Sequence, residues 1–369
     1  MRILIDNSNL FAGGGIQVST SFLKDVDTLS TGHEFFVVQS PNSAKQINQS
    51  EFSNKFTFFD IPENIHRSII KRSTFVKNIE KKIDPNIIFT VFGPSYHRSK
   101  SIKVVGFAIP HLIYQDSPYF KQLGLLDKVK NFFVSKIKKF AFKRNSNILV
   151  LESEVARQRF MSFFNKPTYV VSNTLNEVFL NTESWKPYKL PSNNTYKILC
   201  LTANYSHKNF GIIPQVIESL LNLGFSDFTF YVSLKEDELI VNDICKKHIH
   251  FLNRVDLVQL PNLYQQMDLL FMPSLLEVFS TTYLEAMYMK IPIVASDMPF
   301  ARDICGKSAM YASPLNGIDY AKLIIDLYNN DSLRNDLIIE GKTNLNRFGT
   351  SLDRTKKYLE ILEKYGNTK

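Results

Sequence analysis

Over the first 175 positions, apolar residues gather in short runs separated by longer amphipathic stretches. The runs are Ile3–Ile5, Phe35–Val38, Phe56–Phe59, Ile87–Val91, Val104–Ile109, Ile148–Leu151 and Tyr169–Val171. They are rich in β-branched and aromatic residues and lack clean polar–apolar alternation, as strands do when helices cover both sheet faces. Helical periodicity lies between them, for instance over Ile16–Val26 and Leu126–Phe142. This alternation predicts a doubly wound parallel sheet. Around Asn173–Asn194, where WKPYKLPSNN is rich in Pro and Asn, periodicity fails and an inter-domain connection is expected. A second series then follows, with strands at Lys197–Leu201, Thr229–Val232, Ile249–Leu252, Leu269–Met272, Ile293–Ser296 and Ala309–Tyr311. Helices are expected between them at Pro214–Leu223, Pro261–Gln266, Thr282–Met289 and Asp319–Tyr328. A last amphipathic helix, Asp353–Tyr365, sets Tyr358, Ile361, Leu362 and Tyr365 on one face.

At 369 residues the chain is longer than most single cores grow. The pattern divides it into domains 1–175 and 176–350, with 351–369 as a terminal helix expected to cross back to the first domain. Ligands of doubly wound sheets bind outside the carboxyl ends of the strands, so a site is expected in a cleft between two facing halves. No low-complexity tract or solenoid-period repeat occurs. Cys200, Cys245 and Cys305 are far apart, form no CxxC pair and have no histidine at metal spacing, which predicts buried free thiols in a reducing compartment. The start MRILIDNSNLFAGGG lacks the features of a signal peptide, and no stretch approaches the roughly 20 apolar residues of a membrane span. A cytoplasmic protein is expected.

The net charge of +9 calls for an anionic partner, and much of it is local: seven Lys/Arg and one Asp lie between Leu126 and Asn145. In that segment Leu126, Val129, Phe133, Ile137 and Phe140 form one helical stripe flanked by lysines. Either the helix lies on an anionic membrane leaflet, or the stripe packs on the sheet and the lysines are solvated, and both hold if the helix edge alone touches lipid. The first reading makes the protein peripheral on the inner face of the membrane.

The segment with the most chemical content is PSLLEVFSTTYLEAMYMKIPIVAS, residues 273–296. An apolar strand enters a Pro-Ser loop carrying Glu277, and a helix opens near Ser280–Thr282 with Glu285 in its first turn. The free backbone N–H groups and dipole at a helix start favour a phosphate. Carboxylates suit sugar and ribose hydroxyls because each accepts from two at once. Thr282-x-x-Glu285 also spells a capping box, which alone would account for Glu285. The segment resembles the E-x7-E signature of family-4 glycosyltransferases, P-S-x-x-E-G-F-G-x-x-x-L-E-A-M-A-x-G-x-P-V. It matches at Pro273, Ser274, Glu277, Phe279, Leu284, Glu285, Ala286, Met287 and Pro292, while Val278, Ser280 and Lys290 stand in place of glycines.

The resemblance implies a GT-B fold, two Rossmann-like domains facing across a cleft, and retaining transfer from a nucleotide-diphosphate sugar. It assigns ribose to Glu285, the donor sugar to Glu277, and the diphosphate to the backbone near Ser280 and Thr281. LTANYSHKNFGIIPQVIESL, residues 201–220, is similar to the family's G-R-L-x-x-x-K-N element, with Lys208 and Asn209 in place. Lys208 would neutralise the leaving diphosphate. The family's Arg is replaced by Ala203, so either His207 or Arg254 would share that charge or the diphosphate is bound more weakly; Arg254 lies in HFLNRV, which resembles the base-contacting loop. In VVGFAIPHLIYQDSPYF, His111 takes the place of the histidine that contacts the donor sugar near the reacting carbon, and Asn173 matches the family's V-x-P-N-G asparagine.

Gly13-Gly14-Gly15 follow the first strand without spelling GxGxxG, since Val18 occupies the last position, and no acidic residue ends the second strand. A nicotinamide cofactor is not expected. Gly14 and Gly15 would let backbone approach the donor phosphate or the acceptor, unless they form a plain turn. Asp25-Val26-Asp27 ends a helix pattern and reads as a solvated helix end; no metal and no nucleophilic triad is expected. The implied enzyme is a hexosyl- or deoxyhexosyltransferase acting on a saccharide or lipid-linked acceptor in surface polysaccharide synthesis, O-antigen (lipopolysaccharide) or capsule. The alternatives are a GT-B sugar-nucleotide epimerase, separated by product analysis, and a basic nucleic-acid-binding protein, whose interleaved aromatic–basic motifs are missing here.

Overall fold

A computed structural model of the chain describes residues 1–11 and 13–367. It forms two compact units: unit 1 comprises Met1–Ile113, Gly124–Asn173 and Thr350–Lys369, and unit 2 comprises Tyr114–Leu123 and Thr174–Gly349.

In unit 1 the strands are β1 (Arg2–Asn7), β2 (Glu34–Gln39), β3 (Phe56–Asp60), β4 (Ile87–Thr90), β5 (Ile102–Phe107), β6 (Ile148–Leu151) and β7 (Thr168–Val170). They form a parallel sheet in the order β3-β2-β1-β4-β5-β6-β7. Every apolar run of the first series is a strand. Helix α1 (Gly14–Thr28) follows β1, α2 (Ile69–Ile83) precedes β4, and α3 (Leu125–Asn145) precedes β6. The turn into α1 needs glycine at Gly13, whose φ is +68°, because a side chain is costly in the left-handed region.

In unit 2 the strands are β8 (Tyr196–Cys200), β9 (Phe228–Val232), β10 (Ile249–Phe251), β11 (Leu269–Met272), β12 (Ile293–Ser296) and β13 (Met310–Ala312). Their order is β10-β9-β8-β11-β12-β13, again parallel throughout. Helices α4 (Ile213–Asn222), α5 (Thr281–Tyr288), α6 (Gly317–Asn329) and α7 (Asp331–Leu345) flank the sheet. The core joins α4 residues Val216, Ile217 and Leu220 to Tyr320, Ile324 and Leu327 of α6 and to Phe230 and Phe271 of the strands. The 331–345 helix has no clear apolar stripe, which is why the hydrophobic pattern passes over it.

The segment Tyr114–Leu123, which the strand pattern leaves in the first half, packs into unit 2. Tyr114 meets Phe300 edge-on at 5.9 Å, and Ser117 Oγ donates to the Leu275 carbonyl at 2.7 Å. The terminal helix α8 (Ser351–Gly366) packs into the core of unit 1. Its side chains Tyr358, Leu359, Ile361 and Leu362 are buried there, with the Tyr358 ring against Phe89 at 5.0 Å and Phe22 at 5.8 Å. Each such side chain contributes about 1.5–3 kcal/mol on burial. Thr350 and Asp353 form a reciprocal capping box at its start.

Candidate active site

The family-like segment occupies the carboxyl edge of the unit 2 sheet. Strand β11 ends at Met272, and the following loop is pinned at Leu275 from two sides. Its N–H donates to the His207 carbonyl at 2.8 Å, and its carbonyl accepts from Ser117. That holds Glu277 against Lys208, which projects from the loop after β8. The two form an ion pair, with about a tenth of each side chain exposed. Asn209, next in the chain, takes a left-handed conformation (φ +58°) and its amide donates to the Pro314 carbonyl at 3.1 Å, fixing the loop that carries Lys208.

Helix α5 starts at Thr281, with Ser280 as N-cap in extended conformation and no side chain accepting from the first turn. Its leading N–H groups thus lack both intrahelical and capping partners. The capping box suggested by Thr282 and Glu285 is not formed. The helix begins two residues earlier than that pattern requires, with Ser280 and not Thr282 as N-cap, and Glu285 opens its second turn rather than its first. Glu285 instead accepts from Tyr264 Oη at 3.0 Å and from Thr281 Oγ1 at 3.2 Å. Its carboxyl is buried, and burial pushes it from 4.5 up to about 7 against the lowering effect of those two hydroxyls. Tyr264 carries no local signal of this role, since 21 positions and a strand separate it from Glu285.

The three glycine replacements have different consequences. Val278 and Ser280 have ordinary negative φ, so their backbones do not require glycine. Lys290 has φ +61° in the left-handed turn that ends α5, where Ile291 N–H bonds back to the Ala286 carbonyl at 2.9 Å.

Arg254 is exposed in the loop after β10 and makes no salt bridge among the described residues. His207 does not supply a second cation: burial, then the Lys208 charge, push its imidazole down to about 4, so it is neutral at pH 7.

The remaining expected site residues lie on unit 1, at the carboxyl ends of its strands. His111 sits in a short 3-10 turn after β5, half-buried. Gly15 packs tightly, since a Cβ there would meet Leu10 at 3.2 Å and Phe92 at 3.3 Å, whereas a Cβ at Gly14 would meet nothing within 4 Å. Asn173 accepts from Arg354 of α8, whose guanidinium also reaches Ser21 at 2.8 Å. Asp25 and Asp27 diverge. Asp25 accepts from Thr355 at 2.8 Å, while Asp27 accepts from Ser53 and lies 3.6 Å from the Lys55 ammonium. Among the described residues no group of three or more His, Cys, Asp or Glu is placed to hold a metal ion.

The stripe of α3 faces outward. Leu126, Val129, Phe133, Ile137 and Phe140 are all exposed, as are Leu125 and Phe132, and only Ser135, Ala141 and Phe142 of this helix are buried. Packing of the stripe on the sheet is therefore ruled out. No helix among the described residues is long and apolar enough to cross a membrane.

Known proteins place this architecture. The family described as "Glycosyl transferases group 1" matches residues 234–344, which include Glu277, Ser280, Thr281 and Glu285. A glycosyltransferase from Rickettsia africae superposes with a TM-score of 0.69 at 17% identity, over 100% of this chain and 99% of that one. Sucrose-phosphate synthase from Thermosynechococcus elongatus gives 0.73 at 12% identity, with 100% of both chains covered. Anabaena HepE in complex with UDP-glucose gives 0.70 at 13%, over 99% and 100%. No curated protein sequence matches the chain significantly. With two all-parallel doubly wound units and a segment across the paired glutamates that matches the glycosyl transferases group 1 model, the chain has the GT-B fold and is a glycosyltransferase.

Proposed function

We propose that the chain is a retaining transferase, of the family-4 kind, that moves a sugar from a nucleotide-diphosphate donor to a saccharide or lipid-linked acceptor. The observation that carries this is the convergence of Lys208, Glu277, Glu285 and the uncapped start of α5 at one sheet edge. Glu285 accepts the ribose hydroxyls and Glu277 those of the donor sugar, while Lys208 and the N–H groups after Ser280 take the diphosphate. The exposed Arg254 lies in reach of a base. On unit 1, His111 orients the sugar near its anomeric carbon, and Gly14, where packing demands no glycine, leaves the backbone open to a phosphate or an acceptor.

The reaction places little covalent work on the protein. The acceptor hydroxyl oxygen attacks the anomeric carbon on the face the diphosphate leaves. The carbon–oxygen bond to phosphate breaks with its electron pair going to the phosphate oxygen, which takes the hydroxyl proton. Charge grows on the diphosphate in the transition state, so a fixed ammonium and unpaired amides at that point lower the barrier. Titration calorimetry against UDP-, GDP- and ADP-sugars tests the reading. UDP-glucose is the first ligand to try because the similarly folded HepE is complexed with it. Binding of one donor class with release of free nucleotide on adding acceptor is expected; silence across the panel would overturn the assignment. Product analysis separates transfer from epimerisation, which forms no glycoside.

We further infer that α3 rests on an anionic leaflet, supporting a peripheral position on the cytoplasmic face of a membrane and a role in surface polysaccharide assembly. Its exposed apolar stripe is bordered by Lys128, Lys130, Lys136 and Lys143. Each lysine near such a surface adds about 1 kcal/mol. Vesicles containing anionic lipid should pellet the protein and neutral vesicles should not, and Phe133→Glu with Ile137→Glu should abolish the effect without altering the melting temperature. Equal pelleting of the double variant would sink this placement.

A further inference from the structure

Unit 1 carries a cavity of about 460 Å³ lined by Phe11, Pro41, Asn42, Lys45, Glu63, His66 and Arg67, a volume within the usual range for small-molecule sites. These residues come from the three successive loops after β1, β2 and β3, the edge of a doubly wound sheet where ligands bind. None of them belongs to the donor-binding set on unit 2.

The wall is cationic and incompletely paired. Lys45 reaches Glu63 at 3.1 Å, but Arg67 makes no salt bridge among the described residues. Behind the wall Arg72 is buried, with 4% of its surface exposed; the buried Asp6 carboxylate acts on it only through space, and the guanidinium makes no direct salt bridge among the described residues. It donates instead to the His66 carbonyl at 2.7 Å and to Asn9 Oδ1 at 3.1 Å, and lies 5.1 Å from the centre of the Phe11 ring. Burial outweighs the help Asp6 gives, and Asp6 also faces the buried Lys103, so an anion bound nearby would offset part of the remaining cost. His66 is itself more than nine-tenths buried, yet its Nε2 has no hydrogen-bond partner. Phe11 stacks on the His66 ring at 4.5 Å while remaining 43% exposed, so it offers an apolar face beside the polar groups. At the same sheet edge Asn7 and Gln39, in register on β1 and β2, leave both ends of their buried amides unpartnered.

We propose that this cavity is an acceptor subsite for a saccharide bearing an anionic group, a phosphate or a carboxylate. Arg67 and Lys45 meet the charge, His66 Nε2 hydrogen-bonds an adjoining oxygen, and a sugar ring rests on Phe11. The proposal builds on the glycosyl-transfer reading and names its acceptor class. The full chain is titrated with glucose 6-phosphate, glucuronate, glucose and, separately, UDP, following heat and the ¹⁵N resonances of labelled histidine. The charged sugars should bind at least tenfold more tightly than glucose and shift the His66 signal, and the tighter of the two identifies the anionic group. Lys45→Ala with Arg67→Ala, both on exposed side chains, should weaken that binding at least tenfold and leave UDP affinity unchanged. Equal affinity for glucose and glucose 6-phosphate, or undiminished binding in the double variant, would overturn the proposal. The nucleotide arm reads the donor site alone, so silence there and across the UDP-, GDP- and ADP-sugar panel would count against glycosyl transfer and not against the cavity.

Discussion

Glu285→Gln should make the protein more stable at pH 8 and a poorer binder of nucleotide sugar. Burial raises this carboxyl from 4.5 to about 7, so folding favours the protonated form. The contribution to stability is therefore full below the unfolded value, declines as pH rises from about 4.5 to about 7, and stays low above that. A shift of this size corresponds to about 3 kcal/mol for a fully desolvated group. The amide carries no charge to desolvate, so the variant should gain up to that amount at pH 8 and nothing at pH 4, as read by urea denaturation at both pH values. Binding should move the opposite way. A carboxylate accepts from both hydroxyls of a ribose, and charge-assisted hydrogen bonds are worth about 1.5–3 kcal/mol, so affinity should fall about 10- to 100-fold. In the wild type, affinity for a nucleotide sugar should climb through pH 7 as Glu285 ionises; in the variant it should be flat. Parallel pH profiles in the two proteins would show that Glu285 does not meet the ligand.

Lys208→Ala should cost about 10²–10³ in kcat, the usual effect of removing one fixed donor from a site of developing charge. It also strands Glu277, of which a tenth is exposed, and an unpartnered carboxylate at that depth should lower stability by about 1–3 kcal/mol. Adding Glu277→Gln removes the stranded charge. The double variant should thus recover most of the lost stability, and with Glu277→Gln alone it completes a double-mutant cycle that reads the coupling between the ammonium and its carboxylate partner. If Lys208→Ala turns over at the wild-type rate, the phosphate role of this lysine is lost.

Much of this protein is legible along the chain because its determinants are local. All thirteen apolar runs singled out as strands are strands, since a parallel strand buried on both faces must be apolar over its whole length. The paired glutamates could be found because a strand, a Pro-Ser loop and a helix start follow one another without interruption. The asymmetry of α8 set Tyr358, Ile361, Leu362 and Tyr365 on one face for the same reason; the first three are core and Tyr365 is half-buried against it.

What depended on tertiary structure was every feature formed between distant segments. The alternation of apolar and basic residues in α3 is the same whether its stripe is covered or bare, and only packing, which buries Ser135, Ala141 and Phe142 instead, left it bare. The [ST]xxE pattern at Thr282 could not distinguish a cap from a carboxylate held by Tyr264, because the hydroxyl that decides between them lies across a strand. His207 reads as a cation until burial beside Lys208 removes its charge. The cavity of unit 1 draws Phe11, Lys45 and His66 from three separate loops with no common motif. Hydrophobic period acts over a few residues and is written in the chain, whereas desolvation and charge pairing depend on which remote groups the fold brings within a few ångströms.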